Sequence, residues 1–329
     1  MNYPESQLIL EEIKKANKIL LNCHRGPDSD TVGSALSMAE ILRNMGKEIE
    51  IICPSNIPED LFFLEGSKDI KKVDFKTFDF SAFDLFIVMD SSTYGMVANS
   101  KEIDKPNTKI IVIDHHHTNE GFGSINLIDS KITSTSELLY KIFFDWSVTL
   151  NQKVATCLLT GIIGDTGAFQ YGGVGKSTLL IAGELIDLGA DKDEIIYNIY
   201  RSINFKTIKF WGKVIEMMQI DEKSHFVWSA IPLSIYEEYG KDSSAKEDGA
   251  NLFFPVVKNT DFGVIMVETD KDILSISFRS RKDFDVSKIA EEVGGGGHKP
   301  AAGAKVENRF DEAVEKVLSA CRKYANKKV

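Results

Sequence analysis

The sequence predicts an α/β protein in which a parallel, doubly wound sheet domain precedes a smaller α/β domain. Short apolar runs alternate with segments of 3.6-residue periodicity, which is typical of strands and helices that follow one another in a doubly wound sheet. The runs are apolar almost throughout, as in strands that are covered on both faces. At 329 residues the chain also exceeds what one hydrophobic core usually spans. We therefore expect one domain at 1–191, a helical connector at 192–220 and a second domain at 221–329.

In the first domain, four apolar runs predict the strands and four periodic segments predict helices. The predicted strands are "KILLNCH" (18–24), "EIEIICP" (48–54), "DLFIVMD" (84–90) and "KIIVIDH" (109–115). The predicted helices are 31–46, 134–146, 152–163 and 176–189. Gly46 is placed to end the first helix, and Ser177 or Thr178 to cap the last one. The alternation favours crossover connections between parallel strands.

The second domain is predicted from three further apolar runs and two helical segments. The strands are expected at 225–233, 263–270 and 273–280. The helices are expected at 285–294 and 310–325, with a run of glycines after the first of them. Neither a low-complexity tract nor a repeat of fixed period occurs in the sequence.

Composition and charge exclude several classes of function. A net charge of −10 disfavours a protein that tracks long duplexes or coats single strands, because such binding depends on a basic surface. The four cysteines lie far apart without a CxxC pair, which argues against a disulfide framework and against a thiolate zinc site. Without a secretion signal or an apolar run of about 20 residues, the sequence predicts a cytoplasmic location and no membrane association.

Acidic residues and histidines follow three of the predicted strands. In an open parallel sheet, the carboxyl ends of the strands form the edge at which ligands bind, so these side chains should converge there. Gly33 and Ser34 are expected to begin the helix that follows the first of these loops. Carboxylates with a few imidazoles suit Mn²⁺ or Mg²⁺ better than structural zinc. The converging residues are His24, Asp28, Asp30, Asp90, Asp114, His115, His116 and, at the end of an apolar helix, Asp165.

Each of these residues by itself has an ordinary structural explanation. A single aspartate after a strand is more often a turn residue or a helix cap than a metal ligand, and "PDSD" alone is a common turn. A lone histidine is more often a hydrogen-bonded histidine than a ligand. Their occurrence at successive strand ends favours a functional site, because the structural explanation would need several independent coincidences.

Four segments resemble, in order and spacing, the motifs of the DHH phosphoesterases. They are "HRGPDSDTVGS" (24–34), "VMDSS" (88–92), "VIDHHHTN" (112–119) and "GDTGAF" (164–169), and the family is named after the Asp-His-His found here at 114–116. "SISFRS" and "DVSKIAEEVGGGGHKPAAGA" resemble the DHH-associated C-terminal domain. The resemblance spans essentially the whole chain and is greatest to the nanoRNase type. Those enzymes degrade short RNA and remove the 3′-phosphate of 3′-phosphoadenosine 5′-phosphate (pAp).

This resemblance implies a site for two divalent ions, expected to be Mn²⁺, with Mg²⁺ or Co²⁺ as alternatives. Two ions about 3.5–4 Å apart can hold the attacking and leaving oxygens of a displacement at phosphorus. A carboxylate can bridge two ions because each oxygen can face one of them, whereas an imidazole cannot. The implied ligands are His24 and Asp28 for one ion, Asp30 and His115 for the other, and Asp90 and Asp165 as shared or bridging ligands.

The same resemblance gives roles to the other two residues of the Asp-His-His motif. His116 is expected to contact the phosphoryl oxygens or the leaving group. Asp114 is expected to orient an imidazole, as carboxylates beside metal-bound histidines usually do. His117 departs from the family pattern, in which an apolar residue is frequent, and receives no role.

In the second domain, we predict a clamp for the terminal 5′-phosphate or the base end of a short substrate. Arg279 offers a planar fork for bidentate phosphate binding. Gly295, Gly296 and Gly297 allow a ligand to approach the backbone closely, and His298 adds a polar group. The glycines alone would fit a flexible loop equally well. Because the clamp and the ions belong to different domains, we expect their separation to select the number of nucleotides and domain closure to gate the reaction.

The predicted function is Mn²⁺-dependent hydrolysis of short oligoribonucleotides such as pApA to mononucleotides, together with 3′-dephosphorylation of pAp. Alternatives are a cyclic di-AMP phosphodiesterase, a pyrophosphatase or polyphosphatase, a RecJ-like exonuclease and a non-catalytic nucleotide sensor. A homodimer is left open. "GGVGKST" (172–178) is not a P-loop, because Gln170 stands where the first glycine is required and no strand precedes it.

Overall fold

The computed structural model describes residues 3–281 and 284–325. The chain divides into two compact units, Met1–Ser202 and Ile203–Val329. The expected connector, 192–220, contributes its first residues to unit 1 and its last ones to unit 2. No helix in the described ranges is long and apolar enough to span a membrane.

Unit 1 consists of a six-stranded sheet with helices on both sides. Its strands are β1 Lys18–Asn22, β2 Glu48–Cys53, β3 Lys71–Lys72, β4 Leu85–Met89, β5 Lys109–Asp114 and β6 Ile125–Ile128. Its helices are α1 Pro4–Lys15, α2 Ser29–Asn44, α3 Tyr94–Ala98, α4 Thr135–Asp145, α5 Gln152–Asp165, α6 Lys176–Asp187 and α7 Lys192–Ile196, followed by a π-helical turn at Tyr197–Arg201. The four predicted strands and four predicted helices of this region are confirmed.

The strand order β3-β2-β1-β4-β5-β6 makes unit 1 a doubly wound sheet, as predicted. All pairs in this sheet are parallel. The order reverses between β1 and β4, so the connections on the two sides of this point lead away from each other. A crevice therefore forms at the carboxyl ends of these two strands, where ligands bind in folds of this kind.

Alternate residues of the strands supply two cores, one on each face of the sheet. Ile19 and Leu21 of β1 pack with α2, α4 and α5 on one face, whereas Leu20 packs on the other face with residues of α3. Ile111 and Val112 of β5 divide in the same way. Because both faces are covered, the strands read as continuous apolar runs rather than as alternating patterns.

Two predicted helix starts are wrong. Helix α2 begins at Ser29, not near Gly33, because the Asp28 carboxylate accepts hydrogen bonds from the N–H groups of Asp30 and Thr31 and thereby caps the helix. Helix α6 is capped by Gly175 rather than by Ser177 or Thr178. The Thr178 hydroxyl instead donates to Glu137 Oε2, at 2.9 Å, and so joins α6 to α4.

Unit 2 contains a mixed six-stranded sheet with the order β11-β12-β10-β9-β8-β7. Its strands are β7 Gln219–Asp221, β8 Phe226–Ile231, β9 Phe262–Asp270, β10 Ile273–Ser280, β11 Gly296–Gly297 and β12 Ala301–Glu307. Its helices are α8 Phe205–Glu216, α9 Leu233–Glu238, α10 Ser243–Phe253, α11 Ser287–Glu292 and α12 Phe310–Ala325. The three predicted strands and two predicted helices of this region are confirmed, so both units have the predicted α/β class.

Candidate metal centre

The strand ends on either side of the reversal in strand order supply most of the predicted site. His24 follows β1 by two residues, Asp90 follows β4 directly, and the Asp-His-His segment ends β5. Asp28 and Asp30 lie at the start of α2, and Asp165 is the last residue of α5. All of the predicted metal ligands therefore belong to unit 1.

Asp90 lies at the centre of this group. Its Oδ2 is 3.5 Å from His24 Nε2, and its Oδ1 is 3.6 Å from His115 Nε2. The Thr135 hydroxyl also donates to Oδ1, at 3.1 Å. Asp90 has a left-handed backbone (φ 53°), which is uncommon outside glycine and marks local strain that is frequent at functional sites. This turn directs the two carboxylate oxygens towards different histidines.

His24 is positioned to bind a metal through Nε2. Its Nδ1 lies 2.9 Å from the backbone carbonyl of Arg25, so Nδ1 carries the hydrogen in the neutral ring and Nε2 keeps a free lone pair. Nε2 also lies 3.4 Å from Asp28 Oδ2. Burial of His24 favours the neutral ring, but hydrogen bonds to Asp28 and Asp90 raise its pKa well above the usual value. The two carboxylates therefore favour a protonated ring when no metal is bound.

Asp30 is buried at the start of α2 and fixed by the start of α4. Its Oδ2 accepts the Thr135 N–H at 2.7 Å, and its Oδ1 accepts the Ser136 N–H at 2.9 Å. Burial and the negative charges of Asp90 and Asp165 raise the pKa of Asp30 well above the usual range. A nearby divalent cation would reverse this effect and keep the carboxylate ionised.

His115 and Asp165 form a second imidazole–carboxylate pair. The distance between His115 Nε2 and Asp165 Oδ2 is 3.1 Å, yet Nε2 is buried and makes no well-oriented hydrogen bond within the described residues. Burial opposes the charged ring, but Asp165 and the charges of Asp30 and Asp90 raise the pKa of His115 to about 10. Burial raises the pKa of Asp165 to about 6. A buried nitrogen without a hydrogen bond, surrounded by carboxylates, fits a metal ligand.

His116 is held by Asp114, the residue that was expected to orient an imidazole, and that role stays a prediction. His116 Nδ1 lies 2.8 Å from Asp114 Oδ1, and Asn119 Nδ2 donates to Asp114 Oδ2 at 2.6 Å. Burial of His116 lowers its pKa, but the hydrogen bond to Asp114 and the negative charges of Asp90 and Asp114 together raise it above the usual value. With Nδ1 engaged, Nε2 of the partly exposed ring remains available to a ligand.

The candidate ligand atoms form three groups, and the atoms of each group lie close enough together to bind one metal ion. In each group, one oxygen or nitrogen from every residue lies within 4.8 Å of the others. One group is His24, Asp28 and Asp90, a second is Asp30, His115 and Asp165, and a third joins Asp90 to the three residues 114–116. The predominance of carboxylate oxygens and the buried Nε2 of His115 fit divalent ions. The first two groups contain the two ligand pairs implied by the sequence resemblance; Asp90 belongs to more than one group, whereas Asp165 belongs to one.

Comparison with protein families gives matches in both units. Residues 18–162 match the DHH family N-terminal domain, and residues 257–327 match the DHHA1 domain. The chain belongs to the DHH family. It is accordingly an enzyme of the DHH phosphoesterase type, whose members use divalent metal ions.

Relatives of this DHH protein match over nearly its whole length. The Thermus thermophilus protein named "Bifunctional oligoribonuclease and PAP phosphatase NrnA" is 28% identical over 97% of this chain and 94% of its own length. The "Cyclic-di-AMP phosphodiesterase PdeA" of Listeria monocytogenes is 28% identical over 97% of this chain but only 49% of its own length. The crystal structure of an exopolyphosphatase-related protein from Bacteroides fragilis superposes with a TM-score of 0.90 at 26% identity, covering 98% of this chain and 96% of that one.

Three residues of this DHH centre were missed by sequence reasoning. Thr135 and Ser136 bind Asp30 through their N–H groups, and Asn119 binds Asp114. The sequence did indicate the start of α4. Ser134 and Glu137 form the Ser-x-x-Glu pattern of a capping box, in which the hydroxyl of Ser134 accepts the N–H of Glu137. That pattern marks a helix start but does not indicate that the helix start binds an aspartate more than 100 residues away.

In unit 2, the residues of the predicted clamp share one end of the sheet. Arg279 of β10 is paired with Ala301 of β12, and Ala301 exchanges two backbone hydrogen bonds with His298. The guanidinium of Arg279 is engaged within the unit: Nη2 donates to Glu247 Oε2 at 2.8 Å, and Nε donates to Asn251 Oδ1 at 2.6 Å. A phosphate that binds this fork bidentately would compete with these two acceptors. The clamp therefore remains a prediction.

Proposed function

We propose that this protein is a Mn²⁺-dependent phosphoesterase that hydrolyses short oligoribonucleotides to mononucleotides and removes the 3′-phosphate of pAp. The observation that carries the proposal is the position of Asp90, whose two oxygens face two different histidines. That arrangement suits a carboxylate that bridges two ions. The relatives named as oligoribonuclease and PAP phosphatase, similar along almost the entire chain, support the substrate class.

In this proposal, His24 and Asp28 hold one ion, Asp30 and His115 hold the other, and Asp90 and Asp165 are shared. When bound, the two ions would activate water and stabilise charge on the phosphoryl oxygens. The chain itself orients the ligands, since the N–H groups at the start of α4 fix the Asp30 carboxylate.

His116 would act on the phosphoryl group or the leaving oxygen. Asp114 raises its pKa and thereby favours the protonated ring, which could donate its proton to an oxygen leaving from phosphorus. Asp114 itself is fully buried and would serve to position the ring rather than touch the substrate.

Arg279 and His298 would bind the terminal 5′-phosphate. Substrate would replace Glu247 and Asn251 at the Arg279 guanidinium and would lie against the glycines at 295–297. We expect Arg279→Ala to raise KM severalfold or more for pApA while metal binding is unchanged.

The test is a comparison of product release with Mn²⁺ from pAp, pApA, a five-nucleotide RNA, cyclic di-AMP and pyrophosphate. Mononucleotide from pApA and RNA, together with phosphate from pAp, supports the proposal; preferential hydrolysis of pyrophosphate refutes it. Asp90→Ala should abolish every activity because it removes a bridging ligand. Asp187→Ala, at an exposed site on α6, is the matched control and should leave the rates unchanged.

The second candidate is cyclic di-AMP phosphodiesterase activity, which the similarity to the Listeria protein favours. A cyclic dinucleotide has no terminal phosphate for Arg279. If cyclic di-AMP were the main substrate, its hydrolysis would exceed that of pApA, and Arg279→Ala would affect it less than it affects pApA.

A further inference from the structure

A cavity of about 280 Å³ adjoins the metal centre inside unit 1. Three segments line it: residues 115–117, residues 130–133 and the glycines 172–173. His115 and His116 thus border both the cavity and the centre. A group attached to a phosphate at His116 could therefore extend directly into the cavity.

The size and lining of the cavity suit one nucleoside. Its volume lies just below the range of about 300–1,000 Å³ that whole small-molecule sites occupy, so a dinucleotide would not fit. Ile132, which is almost fully buried, provides an apolar surface. The exposed Ser130 hydroxyl and the backbone of the two glycines provide polar groups. The lining is therefore mostly polar, with one aliphatic side chain, and offers hydrogen-bonding groups to a ribose and a base.

The two proposed substrates, pApA and pAp, differ in one group that a cavity of this size could bind. In both, water adds to phosphorus, the bond from phosphorus to O3′ of a 5′-phosphonucleoside breaks, and O3′ takes up the proton that water loses. In pApA the phosphorus stays attached to a second nucleoside, whereas in pAp it leaves as inorganic phosphate. Only the diester therefore keeps a nucleoside on phosphorus after O3′ has left.

We propose that this cavity binds the nucleoside that remains attached to the phosphate, and so serves the oligoribonuclease reaction but not the pAp phosphatase reaction. The inference rests on the proposed function, in which unit 2 holds the 5′-phosphate of the leaving nucleotide. The retained nucleoside is then the part of a diester that unit 1 must accommodate, and the cavity beside His116 is the space for it.

Lys131 extends the inference to longer substrates. It is exposed at the cavity, and its ammonium group makes no ion pair within the described part of the chain. In a trinucleotide, the next phosphate is attached to the 3′ side of the nucleoside in the cavity. Lys131 would pair with that phosphate, which pApA lacks.

Gly172 offers a direct test, because a side chain there would fill the cavity without distorting the chain. A Cβ at Gly172 meets no atom within 4 Å, and the residue does not need a left-handed backbone. For Gly172→Leu with Mn²⁺, we expect kcat/KM for pApA to fall about tenfold or more and that for pAp to change by less than about twofold. Gly183→Leu, at an equally open position in α6, is the control and should affect neither substrate.

Two further variants complete the experiment. Ser130→Leu fills the cavity from another lining segment and should reproduce the selective loss even if Gly172→Leu does not fold. Lys131→Met should lower kcat/KM for pApApA severalfold while sparing pApA and pAp. Equal losses on pAp and pApA would mean that the cavity holds the leaving nucleotide, and unchanged pApA hydrolysis in both filled variants would mean that it holds no substrate; either result overturns the inference. A wild-type protein that hydrolyses neither substrate would refute the proposed function itself.

Discussion

Gly161 allows α5 to pack against the residues that hold Asp30, and Gly161→Ala should damage both stability and catalysis. A Cβ at this position would lie 2.0 Å from Ser136 Oγ and 2.5 Å from Asp30 Oδ1. Cβ contacts under 3.0 Å are essentially never observed, so the Ser136 hydroxyl would have to move by about 1 Å. Neither side chain can move freely, because both residues are buried and joined by the hydrogen bond from Ser136 N to Asp30.

The magnitude follows from opposing effects. Replacing glycine by alanine inside a helix stabilises it by up to about 1 kcal/mol. Overpacking a buried site costs about 1–3 kcal/mol, and weakening the bond from Ser136 N to Asp30 costs about 1 kcal/mol more. We therefore expect a net destabilisation of about 1–3 kcal/mol. Since Asp30 is a proposed metal ligand and its Oδ1 lies 2.5 Å from the added Cβ, the carboxylate should also be displaced, and kcat should fall by up to about 100-fold.

Gly183→Ala separates these effects. Gly183 lies inside α6, and a Cβ at this position would meet no atom within 4 Å, so alanine should raise stability by about 0.5–1 kcal/mol and leave activity unchanged. Urea unfolding gives the free energies, and pApA hydrolysis with Mn²⁺ gives the rates. If Gly161→Ala matched Gly183→Ala in both measurements, the packing of α5 would not position Asp30.

Three further predictions concern charge. Asp114→Asn should shift the basic limb of the pH–rate profile to lower pH, because the carboxylate that raises the pKa of His116 is lost; an unchanged limb would rule out this role. Glu247→Gln should lower KM for pAp about two- to fivefold without changing kcat, because the phosphate no longer competes with a carboxylate for Arg279; a higher KM would contradict this. In the metal-free protein the pKa of His115 is about 10, so metal binding below that pH must release its proton. Calorimetry should therefore show Mn²⁺ affinity rising from pH 6 to pH 9, and a constant affinity would exclude this ligand.

The central strands of unit 1 were predictable because they are buried on both faces. The runs that form β1, β4 and β5 are apolar almost without interruption, whereas β2 carries Glu48 and Glu50 and is partly exposed in its first half. Strand β3 was not predicted because it consists of two exposed lysines, and β6 was not predicted because it is a partly exposed edge strand of four residues. These two edge strands form because they pair with β2 and β5, not because their own sequences favour strands.

The residues of the metal centre could be predicted from the sequence, but the contacts that hold their side chains in place could not. Strand ends in a parallel sheet meet at one edge, so the proximity of Asp90, His24 and His115 follows from topology. The contacts of Asp30 depend instead on how α4 and α5 pack, which no local pattern encodes. Thr135 and Gly161 contribute a backbone N–H and the absence of a side chain, and neither leaves a chemical signature in a sequence.

The packing of unit 2 requires the glycines of this run, so their presence alone does not indicate a substrate-binding site. A Cβ at Gly295 would lie 2.1 Å from the carbonyl oxygen of Gly303, and one at Gly297 would lie 2.5 Å from the Cα of Ala302. Both positions therefore need glycine so that β11 can pair with β12, whether or not a ligand binds. Loss of activity on substituting either glycine would report on this pairing as much as on phosphate binding. The side chain of Arg279 is not required for that pairing, so its substitution tests the clamp more directly than any change in the glycine run.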